Sequence, residues 1–142
     1  VIGKTARYVE ETNALAHVAG YVLINDVSER EFQLERGGTW DKGKGCDTFA
    51  PMGPYLVTAD EMPDTSNVGL WLSVNGKMYQ NGNTKNLIFS VPELIAYVSQ
   101  YFTLKIGDII FTGTPEGVAK VKPNDILEGF IENKKLFRIQ VK

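Results

Sequence analysis

The 142 residues predict one mostly-β domain with two or three short helices. Short apolar runs alternate with polar residues, most clearly over Gly69 to Val74, Ile126 to Ile131 and Leu136 to Val141. Compact reversals separate them: Asn75-Gly76 suits a type I′ hairpin turn, and Asn133-Lys134-Lys135 turns the chain before its last strand. Capping-box signatures at Ser28-Glu29-Arg30-Glu31 and Ser90-Val91-Pro92-Glu93 open the clearest helices. Hydrophobic residues at 43% and charged residues at 23% suffice for one ordinary core, so a single domain over residues 1–142 is expected.

Each element has a local cause. Tyr8 to Val18 carries Val9, Ala14, Leu15 and Val18 as an imperfect apolar stripe and predicts a helix. Ala19 to Asp26 predicts a strand, and Ser28 then caps a helix over Glu29 to Arg36 that Gly37 closes. Residues 37–54 contain five glycines and two prolines, which predicts an irregular loop. Tyr55 to Thr58 is a short strand and 59–67 is polar and turn-rich. Lys77 to Gln80 returns antiparallel to Gly69–Val74, and 81–86 is a polar loop. The helix after Ser90 tolerates Pro92 in its first turn and turns Leu94, Ile95, Val98 and Phe102 inward. After a turn at Lys105–Asp108, the apolar Ile109 to Thr112 predicts a short central strand, with the tight loop Gly113 to Gly117 at its end. Lys122–Asp125 turns into the strand at Ile126.

Several functions are disfavoured. Fifteen basic and 17 acidic residues are evenly spread, net charge is −2 and the pI is about 5.4, so nucleic acid has no basic stripe to bind. No apolar run reaches the roughly 20 residues that span a bilayer. The lone Cys46 excludes an internal disulfide and fits a reducing compartment; the opening residues resemble no signal peptide, and a cytoplasmic location is expected. Gly-x-Ser-x-Gly is absent and His17 is the single histidine, against a serine-hydrolase triad. Gly43-Lys44-Gly45 lacks the spacing of a phosphate loop.

The residues able to carry chemistry lie around the second element. Asp26 shares a strand face with Val22 and Ile24. If that face is buried, a carboxylate ends an inward row and needs a cation or a proton; if Tyr21, Leu23 and Asn25 face inward instead, Asp26 is solvated. Arg30 and Gln33 are three residues apart on one helix face, where a guanidinium and an amide suit a substrate carboxylate. Lys44, between two glycines, offers an ammonium to an oxyanion or carbonyl, although a solvated loop lysine satisfies the same pattern. Thr48 and Thr114 each offer a hydroxyl or a turn hydrogen bond. Cys46 has no neighbouring base and His17 no metal-ligand spacing, so both are expected to be structural or superficial.

The ordered set Gly20-Tyr21 to Asn25-Asp26-Val27-Ser28-Glu29-Arg30-Glu31-Phe32-Gln33, Gly43-Lys44-Gly45-Cys46-Asp47-Thr48-Phe49, Pro51-Met52-Gly53-Pro54, Val74-Asn75-Gly76 with Gln80, and Gly107-Asp108-Ile109-Ile110-Phe111-Thr112-Gly113-Thr114-Pro115-Glu116-Gly117-Val118 resembles the fumarylacetoacetate hydrolase superfamily. It extends from about residue 19 to 131. The resemblance implies a mixed β-sandwich roll and a divalent cation, Mg²⁺ or Mn²⁺, held by three carboxylates. Asp26 matches the third; a Glu-x-Glu pair supplies the others and is expected before Val1, so that 1–142 form a catalytic domain without its N-terminal strands and lid. Arg30, Gln33 and Thr114 match substrate contacts, Lys44 the catalytic lysine and Thr48 a neighbour of the metal. The family's tyrosine after the Arg–Gln pair has no counterpart, its water-activating His–Glu pair is unplaced, and Glu128 matches at most part of that pair.

The ion supplies Lewis acidity toward the carboxylate and keto oxygens of a 2-oxo acid. The implied activity is hydrolysis of a C–C bond in a 2,4-dioxo acid, such as an acylpyruvate or a diketo sugar acid. Oxaloacetate-type decarboxylation, dienoate isomerisation and a catalytically silent binding or assembly module are the alternatives. A homodimer is implied with it, and the isolated fragment is expected to be inactive.

Overall fold

Alternation over the strongest β segments produces what it predicts. The computed structural model describes residues 1–142, with elements α1 (Glu11–Ala14), β1 (Gly20–Tyr21), α2 (Trp40–Lys44), β2 (Val57–Thr58), β3 (Gly69–Val74), β4 (Lys77–Asn83), α3 (Val91–Tyr101), β5 (Ile126–Ile131) and β6 (Lys134–Gln140). The main sheet has the order β4-β3-β5-β6, antiparallel throughout. Its β3–β4 hairpin turns at Asn75 and Gly76, both with positive φ (51° and 78°), as a type I′ turn requires. The Asn75 amide then secures the neighbouring strand: its oxygen accepts from Ile126 N (2.9 Å) and its nitrogen donates to Asp125 Oδ1 (2.8 Å). Val74, Leu127 and Leu136 are buried in this sheet, and Trp71 stacks on Phe130 across strands with ring centroids 3.4 Å apart.

A second core lies outside the sheet. Ile2, Ala6, Ala14, Ile95 and Leu104 pack together where α1 meets α3. Ala6 and Leu104 exchange two backbone hydrogen bonds of 2.9 Å, which tie the N-terminal residues to the segment after α3. The α3 capping box forms as predicted: Ser90 Oγ accepts from Glu93 N (3.3 Å) and Glu93 Oε2 accepts from Ser90 N (2.6 Å). The third unit is the two-stranded β1–β2 ribbon, with residues 22–56 between its strands.

Several expectations need correction. The first helix starts at Glu11 because Tyr8 has positive φ (52°) and residues 8 and 9 donate to Ser99 of α3 instead of continuing a helix. Regular pairing of the 19–26 strand is confined to Gly20–Tyr21; beyond it the chain stays tied to 51–53 through Asn25 N to Pro51 O and Gly53 N to Leu23 O, each 3.0 Å. Ser28 caps nothing, since Arg30 takes the N-cap position and Glu29 Oε1 accepts from Glu31 N (3.0 Å). The helix there is a π-helical turn over Glu31–Glu35, closed by Arg36 N donating to Glu31 O (3.0 Å). Residues 37–54 are not all loop, because α2 lies within them. Phe102 is 67% exposed, since α3 ends at Tyr101 and Phe102 is already extended. Ile109 to Thr112 is no strand: its backbone hydrogen-bonds to no other segment, and Phe111 is 44% exposed.

Candidate active site

Two side-chain pairs form within residues 26–44, Asp26 with Lys44 and Arg30 with Gln33. Asp26 follows the extended run and Lys44 ends α2, and their charges meet with Nζ 2.7 Å from Oδ2. Asp41 in the first turn of α2 and Lys42 and Lys44 in the last suit its dipole. The ion pair is partly exposed, 24% for Lys44 and 39% for Asp26, which limits its contribution to about 0–1 kcal/mol.

Arg30 and Gln33 join this pair through the backbone. Arg30 Nη1 donates to Gln33 Oε1 at 2.5 Å, so the amide orients the guanidinium. Glu29 N donates to Gly43 O (2.9 Å), which fixes α2 against the π-helical turn. Gly43 is buried there, and a methyl group in its place would lie 2.5 Å from Gln33 Cβ and 2.9 Å from Glu29 O. Two polar atoms in this region, Gln33 Nε2 and Thr39 Oγ1, are buried without a hydrogen-bond partner. Such atoms cost about 1–3 kcal/mol each. Gln33 is only 2% exposed and its amide oxygen is committed to Arg30, so Arg30 is the member of the pair that presents donors to solvent.

The remaining candidates stand apart. Thr114 Oγ1 accepts from Gln80 Nε2 (2.8 Å), which also donates to Pro115 O (2.9 Å); this strap holds the 113–117 loop to β4. No hydrogen bond or ion pair links Thr114 to Asp26, Arg30, Gln33 or Lys44. Thr48 is exposed, has positive φ (66°), and makes no side-chain hydrogen bond. Glu128 is ion-paired on the sheet with Lys135 (2.6 Å) and Arg138 (3.8 Å). Cys46 is half-buried with Sγ 3.4 Å from Lys42 O, and His17 Nδ1 lies 3.1 Å from Thr5 O. Glu29 and Gly43 were not anticipated as organisers: the pattern Gly43-Lys44-Gly45 signals flexibility, whereas close packing explains Gly43. In the sequence Gln80 stands out only within the family pattern, and its strap on Thr114 has no local signal.

No three His, Cys, Asp or Glu side chains come together anywhere in the chain, and the Asp26 carboxylate is already paired with an ammonium. A hard dication seeks six or more oxygen ligands. The 142 residues do not by themselves make up such a site.

Comparison with known proteins bears on the family and the fold. A Burkholderia ambifaria protein with a provisional hydrolase name is 58% identical over 127 residues, 89% of this chain and 45% of that protein. The chain thus spans about half the length of such relatives. A fumarylpyruvate hydrolase from Pseudomonas aeruginosa, solved in complex with Mn²⁺ and pyruvate, matches 99% of this chain and 61% of its own at a TM-score of 0.91 and 35% identity. A 5-carboxymethyl-2-hydroxymuconate delta-isomerase from Mycobacterium smegmatis matches 99% of this chain and 55% of its own at 0.91 and 37%. The model of the C-terminal fumarylacetoacetate hydrolase domain matches residues 1–141, and the chain belongs to that family.

Proposed function

We propose that the protein of which these residues form part hydrolyses a C–C bond in a 2,4-dioxo acid of the acylpyruvate type. The observation that carries this reading is the single connected group Asp26–Lys44 and Arg30–Gln33, joined through Glu29 and Gly43. Arg30 grips the acid end of the substrate, held in orientation by Gln33. Lys44 supplies a fixed positive charge where negative charge develops as the C–C bond breaks to leave an enolate. Thr114 contributes only if its loop moves from Gln80, and Thr48 stays a candidate through its position alone.

Mg²⁺ or Mn²⁺ belongs to the proposal as a cofactor, supported by the Mn²⁺ bound to the Pseudomonas hydrolase. Asp26 would be one of its ligands, with further carboxylates from outside the 142 residues. We infer a homodimer acting on a small oxo acid. No helix is long and apolar enough to cross a membrane.

A second reading, isomerisation of a 2-hydroxy-dienoate at the same residues, is favoured by the Mycobacterium isomerase at similar identity. The same charge arrangement would stabilise the dienolate of a proton shift. Assay of the intact protein with Mg²⁺ against an acylpyruvate and against a 2-hydroxy-dienedioate separates the two. Pyruvate release from the first supports hydrolysis, double-bond migration in the second supports isomerisation, and neither, with metal bound, overturns both.

A further inference from the structure

Resting on the reading of Lys44 and Arg30 as site residues, we propose that Gly43 is a positioning residue which sets the distance between the lysine and the Arg30–Gln33 pair. Lys44 and Arg30 stand on different elements, α2 and the start of the π-helical turn. Those elements meet at Gly43, where Glu29 N donates to Gly43 O at 2.9 Å and the glycine is buried. A Cβ there would lie 2.5 Å from Gln33 Cβ, 2.9 Å from Glu29 O and 3.2 Å from Gln33 Cα. These obstacles are backbone and near-backbone atoms of the opposing turn, not flexible side-chain ends, so the two elements must separate. Reaching ordinary carbon–carbon contact of about 3.5 Å needs a movement of about 1 Å.

Gly43 is within α2 and has no positive φ, so its backbone conformation does not require glycine. Intrinsic helix preference favours alanine at such a position. Packing and propensity therefore predict opposite outcomes for one substitution. The residue that moves with the inserted methyl is Lys44, next in sequence, while Arg30 and Gln33 remain on the other side of the contact. The lysine acts on developing charge and the arginine on the substrate acid, so the loss falls on kcat more than on KM.

The test uses the intact protein with Mg²⁺ and acetylpyruvate, comparing wild type, Gly43→Ala, Lys44→Met and the exposed control Lys42→Ala. A misplacement of about 1 Å at a catalytic group costs on the order of 100-fold in rate. Gly43→Ala is expected to lose about that factor in kcat with KM within about threefold, and Lys42→Ala to match wild type. Adding Gly43→Ala to Gln33→Gly, which removes the nearest obstacle and leaves Glu29 O at 2.9 Å, is expected to cost severalfold less than it does alone, the signature of direct coupling. If Gly43→Ala alone fails to fold, recovery of folding in the Gln33→Gly background, with kcat within about tenfold of Gln33→Gly itself, supports the role, and a double variant that also fails to fold overturns it. Wild-type kcat in Gly43→Ala, or equal losses in both backgrounds, overturns the positioning role while leaving the Lys44 reading intact. Undiminished activity in Lys44→Met overturns the reading and the inference together.

Discussion

Arg30 and Gln33 look alike in the sequence, two polar groups one helical turn apart, yet the fold gives them different work. Gln33 is buried and lends its amide oxygen to the guanidinium, while Arg30 faces solvent. Arg30→Lys therefore removes a planar fork that Gln33 has already oriented. Its KM for a 2,4-dioxo acid should rise about 10- to 100-fold, the worth of one charge-assisted hydrogen bond, with a smaller change in kcat. Steady-state kinetics on the intact protein check this, and an unchanged KM removes Arg30 from the substrate's acid end. Asp26 and Lys44 were legible because a carboxylate ending an apolar run and a lysine between glycines are unusual locally. Their meeting at 2.7 Å was not legible, because α2, which carries the lysine, hides in a glycine-rich stretch that reads as loop. The burial of Gln33 was equally hidden, since it depends on a helix 10 residues further along the chain pressing Gly43 against it.

Among the elements, local chemistry was the reliable guide. The type I′ turn at Asn75-Gly76 and the box at Ser90 formed as read because each is settled within four residues. Ser28 failed as a cap for a local reason too: the Glu29 carboxylate reaches the Glu31 N–H first. The Ser90 box carries a pH signature. Its hydroxyl, and then its backbone N–H, hold the Glu93 carboxyl below the ordinary value of 4.5, against a small opposing effect of burial. A carboxylate depressed on folding adds stability that is complete above 4.5 and is lost as pH falls through the lower folded value. Ser90→Ala should cost about 1 kcal/mol of stability near neutral pH. It should also flatten the fall of stability in acid, because the largest cause of the Glu93 shift is gone. Urea denaturation at pH 7 and in steps below 4.5 measures both; an unaltered acid limb would show that the box does not hold Glu93. The run Ile109–Thr112 was misread because an apolar stretch indicates burial, whereas a strand also needs a neighbour with free backbone groups. Just before it, Ile2 bonds Gly107 N and Asp108 O at 2.9 and 2.8 Å, and beyond that point no strand lies alongside.

For the molecule as a whole, surface is the telling quantity. A compact monomer of 15.8 kDa exposes about 7,300 Å², whereas these residues expose 9504 Å² and bury only 15 of 142. Exposed Ile88, Trp40, Ile106 and Phe102 contribute to the excess. The 142-residue chain alone should therefore bind a hydrophobic dye strongly and self-associate in sedimentation; a dye-silent monodisperse monomer would contradict this. With one carboxylate at the candidate site, the same chain should give no stoichiometric Mg²⁺ binding by calorimetry, and a tight one-to-one isotherm would show that the residues present suffice. The central claim is that Asp26, Arg30, Gln33 and Lys44 form one site for an oxo acid. Its most direct test is pyruvate release from acetylpyruvate by the intact Mg²⁺-loaded protein, with and without Lys44→Met. The expected result is turnover that falls by about 100- to 1,000-fold in the variant. Equal turnover in both proteins would contradict it.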